Sequence, residues 1–270
     1  MHENRKLISI IIPAFKQKKT IKKDILRIVT VMGQLRHDFE IIVVIDGDID
    51  GTFEEAKKIK SNKIQVFSYE QNRGKGYAIR FGIKKAVGDI IGFIDSGMEI
   101  HPNGIAMLLE HMEWYDAHII VGSKRHPASK VTVSLERKII SKLAQIFVKV
   151  LFGIGVTDTQ VGIKFFKRKV LEDVFSRLVV KEFAFDIEVL AVAKYLGYKR
   201  IFEAPIQLYF NAKGSLISKR LLPVLWYTFV DTLGIFYRMH ILHYYANKNR
   251  KQWKLDPELK INKSLSRSYR

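Results

Sequence analysis

The sequence predicts an α/β fold, a mostly parallel sheet flanked by helices, with amphipathic helices after it. Short charge-free runs rich in Ile and Val alternate with segments whose apolar residues recur at helical spacing. The connections are short, as in the crossover units of a parallel sheet. Polar clusters at residues 46–50, 71–75 and 95–99 fall where strand-like runs end or helices begin. In parallel sheets, ligands collect beyond the carboxyl ends of the strands.

In chain order, residues 7–13 form a buried strand ending at Pro13. Residues 20–34 space Ile21, Ile25, Ile28, Val29 and Met32 as a helix does. A strand at 39–45 ends at Asp46, and Asp50-Gly51-Thr52 turns into a helix through Ile59. Strands at 63–68 and 89–94 enclose a helix at 76–86, and the second of them ends at Asp95. A strand at 119–123, a basic and apolar helix at 131–150, a strand at 161–166, a helix at 185–195 and a strand at 201–208 follow. Residues 216–245 are rich in Leu, Ile, Phe, Tyr and Trp, interrupted by Lys219, Arg220, Pro223, Asp231 and Arg238. The expected division is a sheet domain at 1–212, a membrane-associating helical region at 213–246 and a basic, flexible tail at 247–270.

The 270 residues suit one large domain with an appendage, and 47% hydrophobic content is enough for a core. The net charge of +19 favours polyanionic partners such as phosphorylated substrates or anionic headgroups. Without cysteine, disulfides, thiol catalysis and cysteine-based metal sites are excluded. The apolar run near the start is too short for a signal peptide, and no stretch approaches the roughly 18 apolar residues of a spanning helix. A cytoplasmic location is the expectation. Nucleic acid is not an expected partner, because no RNP, zinc or helix-turn-helix signature accompanies the charge.

Several segments carry candidate chemistry. Asp95, after IIGFI, can hold a hard divalent cation against a diphosphate, or simply cap a turn. Asp46 can accept hydrogen bonds from a base or ribose, or shape the Asp46-Gly47-Asp48 turn. Asn72-Arg73-Gly74-Lys75-Gly76 precedes a helix, where glycines and the helix N-terminus favour a phosphate. It is not a Walker loop. Lys124, Arg125, Lys130, Arg137 and Lys138, with Ser141 one turn after Arg137, suit a second phosphate site or a solvated basic helix. Asp158, Gln160 and Lys164 surround Gly162 and mark a further site of unassigned role.

Taken together these segments resemble family 2 glycosyltransferases, most of all the dolichyl/polyprenyl-phosphate glucosyl- and mannosyltransferases. The resemblance rests on RGKGYAIRFGI, GSK with the later RKIIS, DTQVGIKFF and FAFDIEVL, and more loosely on IIIPAFKQ, VVIDGDIDGT and FIDSGMEIHP. It implies the GT-A fold and an inverting transfer of glucose or mannose from a nucleoside-diphosphate sugar to a polyprenyl or dolichyl phosphate. Implied donor contacts are Pro13, Ala14, Phe15, Gln17, Asp46, Asp48, Gly74, Lys75, Asp95 and Ser96. Implied acceptor-phosphate contacts are Lys124, Arg125, Arg137, Ser141 and Lys164, while Asp95, Asp158 and Gln160 lie at the reacting centre.

The family's Asp-x-Asp element falls on Asp95-Ser96-Gly97, so Glu99 is the expected second ligand for Mg²⁺ or Mn²⁺ beside Asp95. The family's Asp-Asp pair falls on Ile45-Asp46, and its Asn-Glu on Lys16-Gln17. UDP-glucose or GDP-mannose is the expected donor, and an anionic membrane surface the expected support. The expected location is the cytoplasmic face of a membrane, with peripheral or interfacial anchorage. A family 2 transferase acting on a glycan, and a weakened sugar-nucleotide or membrane-binding module, are the alternatives.

Overall fold

Seven strands build one sheet: Leu7–Ala14 (β1), Asp38–Asp46 (β2), Ile64–Tyr69 (β3), Ile90–Ile94 (β4), Ile119–Ser123 (β5), Ile163–Lys167 (β6) and Ile201–Pro205 (β7). Their order is β3-β2-β1-β4-β6-β5-β7. β6 runs antiparallel to both neighbours, and every other pairing is parallel. β1, β2 and β4 are buried on both faces, which is why they read as unbroken Ile/Val runs and not as alternating ones. The structure is a computed structural model and describes residues 5–97, 100–129, 135–208, 221–253 and Leu259.

Helices Ile21–Met32 (α1), Thr52–Lys57 (α2), Lys75–Lys85 (α3), Gly104–Trp114 (α4), Leu135–Phe152 (α5), Arg168–Phe175 (α6), Phe185–Tyr195 (α7) and Leu221–Phe236 (α8) complete the fold. α1 buries Ile21, Ile25, Ile28 and Met32, the periodic residues of its sequence. Two helices were not anticipated. α4 buries Ile105, Leu108, Leu109 and Met112, and α6 buries Val170, Leu171, Val174 and Phe175. The first set follows i, i+3, i+4, i+7 and the second i, i+1, i+4, i+5, each one face of a helix.

The strand order creates the site. The chain passes from β1 to β2 on one side and reaches β4 on the other, so a crevice opens between the ends of β1 and β4. Because β6 is antiparallel, its first residue Ile163 pairs with Ile94, the last of β4. The segment entering β6 therefore arrives at the edge where β1, β2, β4 and β5 leave.

α8 runs through both Pro223 and Asp231 and continues into a π-helical turn, Tyr237–Ile241. Pro223 lies in the first turn, where the missing N–H costs no intrahelical bond. Beyond it the chain is pinned to α7. The Tyr245 hydroxyl donates to Glu188 Oε1 at 2.7 Å, and Arg177 Nε donates to the Tyr245 carbonyl at 2.9 Å. Burial raises the Glu188 pKa above its ordinary value. Within the stretch expected as a flexible tail, Asn247–Gln252 forms a 3-10 turn, Trp253 Nε1 donates to the Tyr244 carbonyl at 2.7 Å, and Leu259 is buried. The expected boundary at 212–213 lies outside the described residues.

Candidate active site

Asp46 ends β2 and is buried. Its carboxylate accepts from the Tyr69 hydroxyl at 2.8 Å, Arg73 N at 2.7 Å and Gly74 N at 3.0 Å. Burial and the Asp46 charge raise the Tyr69 pKa, so the phenol stays a donor. With three donors already on it, Asp46 is a poor acceptor for a ribose or base. It anchors the glycine turn. The Gly74 amide is taken up by that bond. The first amides of α3 are also occupied, because Gly76 N and Tyr77 N both donate to the Lys181 carbonyl, at 2.7 and 3.2 Å. The turn thus presents the Lys75 side chain and not a bare helix N-terminus. Asp48 differs from Asp46: its Oδ1 is buried and has no hydrogen-bond partner.

Lys75 stands at the centre of a chain of charges. Its ammonium donates to Asp95 Oδ2 at 3.0 Å, lies 2.8 Å from Asp95 Oδ1 and donates to Asp186 Oδ2 at 3.2 Å. Lys164 closes the far end, donating to Asp186 Oδ1 at 2.7 Å and to the Val161 carbonyl at 2.5 Å. Burial works against the Lys75 charge, but Asp186 and Asp95 outweigh it and raise its pKa above the ordinary lysine value. Burial likewise opposes ionisation of Asp186, yet Lys164 and Lys75 hold its carboxyl below the ordinary range. Lys164 is 0% exposed and braces this chain from beneath the sheet. Its expected contact with the acceptor phosphate is therefore corrected.

Asp95 is positioned by its neighbours. Asp95 N donates to the Gly162 carbonyl at 2.8 Å, and a Cβ on Gly162 would lie 2.3 Å from Asp95 Oδ2. Only glycine lets the segment entering β6 approach so closely. Gly97 adopts φ +92°, and its amide donates at 3.0 Å to Asp24, a buried acid on the apolar face of α1. Burial raises the Asp24 pKa, and the Gly97 amide partly opposes that. Gln17 faces the same turn, its amide 3.8 Å from where a Gly97 Cβ would stand. Phe15 and Gln17 are half-buried at the crevice, Ser96 is half-buried beside Asp95, and Pro13 and Ala14 are buried at the end of β1.

Asp95 fits a divalent cation in one respect. Its Oδ1 is buried and accepts no hydrogen bond, although the Lys75 charge is near. Mg²⁺ commonly binds one or two carboxylates and completes its shell with substrate phosphates and water. Among the described residues no three His, Asp or Glu side chains cluster as a self-sufficient metal site. Glu99 lies outside the described residues.

The second half of the site is more exposed. Lys124 follows β5; its amide donates to Asp158 Oδ2 at 3.2 Å and its ammonium lies 3.8 Å from the same oxygen. Arg125 Nη2 donates to Ser141 Oγ on α5 at 2.7 Å. Glu203 on β7, which the sequence did not flag, accepts from Thr157 N at 2.6 Å and Asp158 N at 3.1 Å and so sets the turn before β6. Asp158 is buried and Gln160 exposed. Arg137 lies on α5 with its side chain outside the described residues.

From Ser141 onward α5 leads to an apolar surface. Ile139, Leu143, Ile146 and Val150 lie along one exposed face of it. Trp226, Val230, Leu233, Tyr237 and Ile241 form a matching exposed face on α8 and its π-helical extension. The two helices meet where Phe147 and Phe229 stack, centroids 5.1 Å apart. Among the described residues no helix is long and apolar enough to cross a membrane.

The glycosyl transferase family 2 profile matches residues 9–175. Dolichyl-phosphate beta-glucosyltransferase of Dictyostelium discoideum is 29% identical over 205 residues, covering 70% of this chain and 63% of that protein. The Drosophila melanogaster protein of the same name is 30% identical, with the same coverage. The chain thus spans less than two-thirds of the length of these relatives. Among solved structures, glucosyl-3-phosphoglycerate synthase from Mycobacterium tuberculosis, in complex with Mn²⁺, UDP and phosphoglyceric acid, superposes with a TM-score of 0.65 at 20% identity, covering 86% of this chain and 78% of that one. Mannosyl-3-phosphoglycerate synthase from Rubrobacter xylanophilus gives 0.68 at 17% identity, covering 93% and 78%. The fold is the GT-A fold that the motifs imply.

Proposed function

The chain belongs to glycosyl transferase family 2, and on that premise we propose that it is an inverting hexosyltransferase acting on a polyprenyl or dolichyl phosphate at a membrane surface. The observation that carries this reading is the meeting of two unlike halves at one sheet edge. Asp95, backed by Lys75 and Asp186, stands beside loops that carry Lys124 and Arg125. The names of the curated relatives support a dolichyl-phosphate acceptor and favour glucose over mannose, so UDP-glucose is the first donor to try and GDP-mannose the second.

The acceptor phosphate is already ionised near neutral pH, so the reaction needs no strong general base. Asp158 is accordingly not assigned as one; its carboxylate aligns Lys124. The work left to the protein is to position two polyanions and stabilise the departing diphosphate. Asp48 and Gln17 face the nucleotide side. Lys124 and Arg125 neutralise the lipid phosphate, with Ser141 orienting Arg125, Arg137 supplying a further charge and Gln160 lying beside the reacting centre. Asp95 and Glu99 would hold Mg²⁺ or Mn²⁺, which when bound supplies positive charge to the diphosphate.

The exposed faces of α5 and α8 would lie in the headgroup boundary of the cytoplasmic leaflet, where Trp and Tyr are favoured. Ser141 on α5 bonds Arg125, so this placement puts the lipid phosphate next to its counter-charges. The test is to incubate the protein with radiolabelled UDP-glucose or GDP-mannose and a membrane lipid extract. Label in an organic-soluble, mild-acid-labile product is expected. Label confined to water-soluble glycan, or none transferred, refutes the reading.

A further inference from the structure

Asp95 is the carboxylate best placed to hold a cation, yet a cation is already on it. The Lys75 ammonium sits within 3.0 Å of both its oxygens. Lys75 is not a loose surface side chain that drifts aside. Its side chain is 17% exposed, and the head of α3 that carries it is fixed by the Lys181 carbonyl, which accepts from Gly76 N and Tyr77 N. Asp186, buried and shared with Lys164, holds the ammonium from the other side. The turn beyond Asp95 adds no described carboxylate. Gly97 has no side chain to offer, and nearby Asp24 receives the Gly97 amide.

We infer that Lys75 makes metal binding conditional on the nucleotide. In the free protein its ammonium neutralises Asp95, so a divalent cation arriving alone meets a carboxylate without net charge and a fixed positive neighbour. A nucleoside diphosphate changes the balance, because its negative charges are shared between the cation and Lys75. Asp95 Oδ1, 2.8 Å from the ammonium but accepting no hydrogen bond from it, is the oxygen freed for the cation once Lys75 turns to the diphosphate. Metal and nucleotide therefore bind cooperatively, and by linkage each raises the affinity for the other by the same factor. Lys75 acts as a positioning residue: it keeps the cation out of an empty site. This inference rests on the donor site proposed above.

The test is Mn²⁺ binding to the full chain, followed by the electron paramagnetic resonance of free Mn²⁺, with and without UDP. The expected result is weak binding of Mn²⁺ alone and at least tenfold tighter binding with saturating UDP. Lys75→Met keeps the bulk and removes the charge. It should tighten Mn²⁺ binding in the absence of UDP at least tenfold, weaken UDP binding in the absence of metal, and shrink the coupling; Lys75→Arg should restore it. Equal Mn²⁺ affinity of the unaltered chain with and without UDP overturns the inference, and that comparison needs no variant to fold. So does a folded Lys75→Met protein whose Mn²⁺ affinity is unchanged. Failure of the unaltered chain to bind either UDP or GDP, with or without Mn²⁺, instead overturns the donor site itself and the inference with it.

Discussion

The two halves of the crevice are built on opposite principles. On the donor side, Asp46, Asp186 and Lys164 are buried and Lys75 is half-buried among them, and each charge already has its partners. On the acceptor side, Lys124 and Gln160 are exposed, Arg125 is half-exposed and held by one serine, and apolar helix faces lie open to solvent. The first half is preorganised and selects by fixed charge. The second is completed by whatever approaches it. A soluble nucleotide suits the former, and a headgroup presented by a bilayer suits the latter.

The sharpest way to break the donor half is to remove its hub. Asp186→Ala leaves the buried Lys164 and the half-buried Lys75 without their shared carboxylate, and losing one partner of a buried pair costs about 3–5 kcal/mol. Denaturant unfolding should register that loss. The depressed pKa of Asp186 gives a matching pH dependence. Its contribution is fully present above the ordinary value of 3.8 and is lost as the pH falls through the lower folded value. Asp186→Asn should flatten that acid limb in a stability-versus-pH series.

Asp95→Asn tests the chemistry without the packing. Lost stabilisation of a leaving group typically lowers kcat by about 10²–10³-fold. Steady-state rates should fall by that order while the melting temperature changes little. A smaller effect is expected on the acceptor side. Lys124→Ala and Arg125→Ala should each weaken acceptor use by about 1.5–3 kcal/mol, the worth of a charge-assisted bond. That loss should appear in the acceptor KM, with UDP affinity unchanged. Equal damage to both would erase the division into halves. Least of all, Leu143→Ser with Trp226→Ser should reduce flotation with anionic liposomes several-fold while stability stays within about 0.5 kcal/mol, as for exposed positions.

Much of this was legible in the sequence, for identifiable reasons. Strands buried on both faces give unbroken Ile/Val runs, so the sheet and the strand-end acids Asp46 and Asp95 could be placed. The same burial hid the role of Lys164. In IKFFK four of the five residues are buried, so alternation gives no hint of which face carries the lysine. Lys75 and Asp186 are 111 residues apart, and no local pattern pairs them. A signal did exist, however. Asp24 and Asp186 are acids on the buried faces of apolar helices, and a buried charge needs a partner. The occupied state of Asp46 depended on three donors converging from two later segments, which spacing alone does not reveal.

The most direct measurement offers the chain radiolabelled UDP-glucose or GDP-mannose with anionic vesicles that either contain or lack a polyprenyl phosphate. The account predicts that label enters the vesicle fraction only when the lipid phosphate is present, and that Lys124→Ala raises the amount of lipid phosphate required. Transfer to vesicles without lipid phosphate, or preferential transfer to an added glycan, would contradict it.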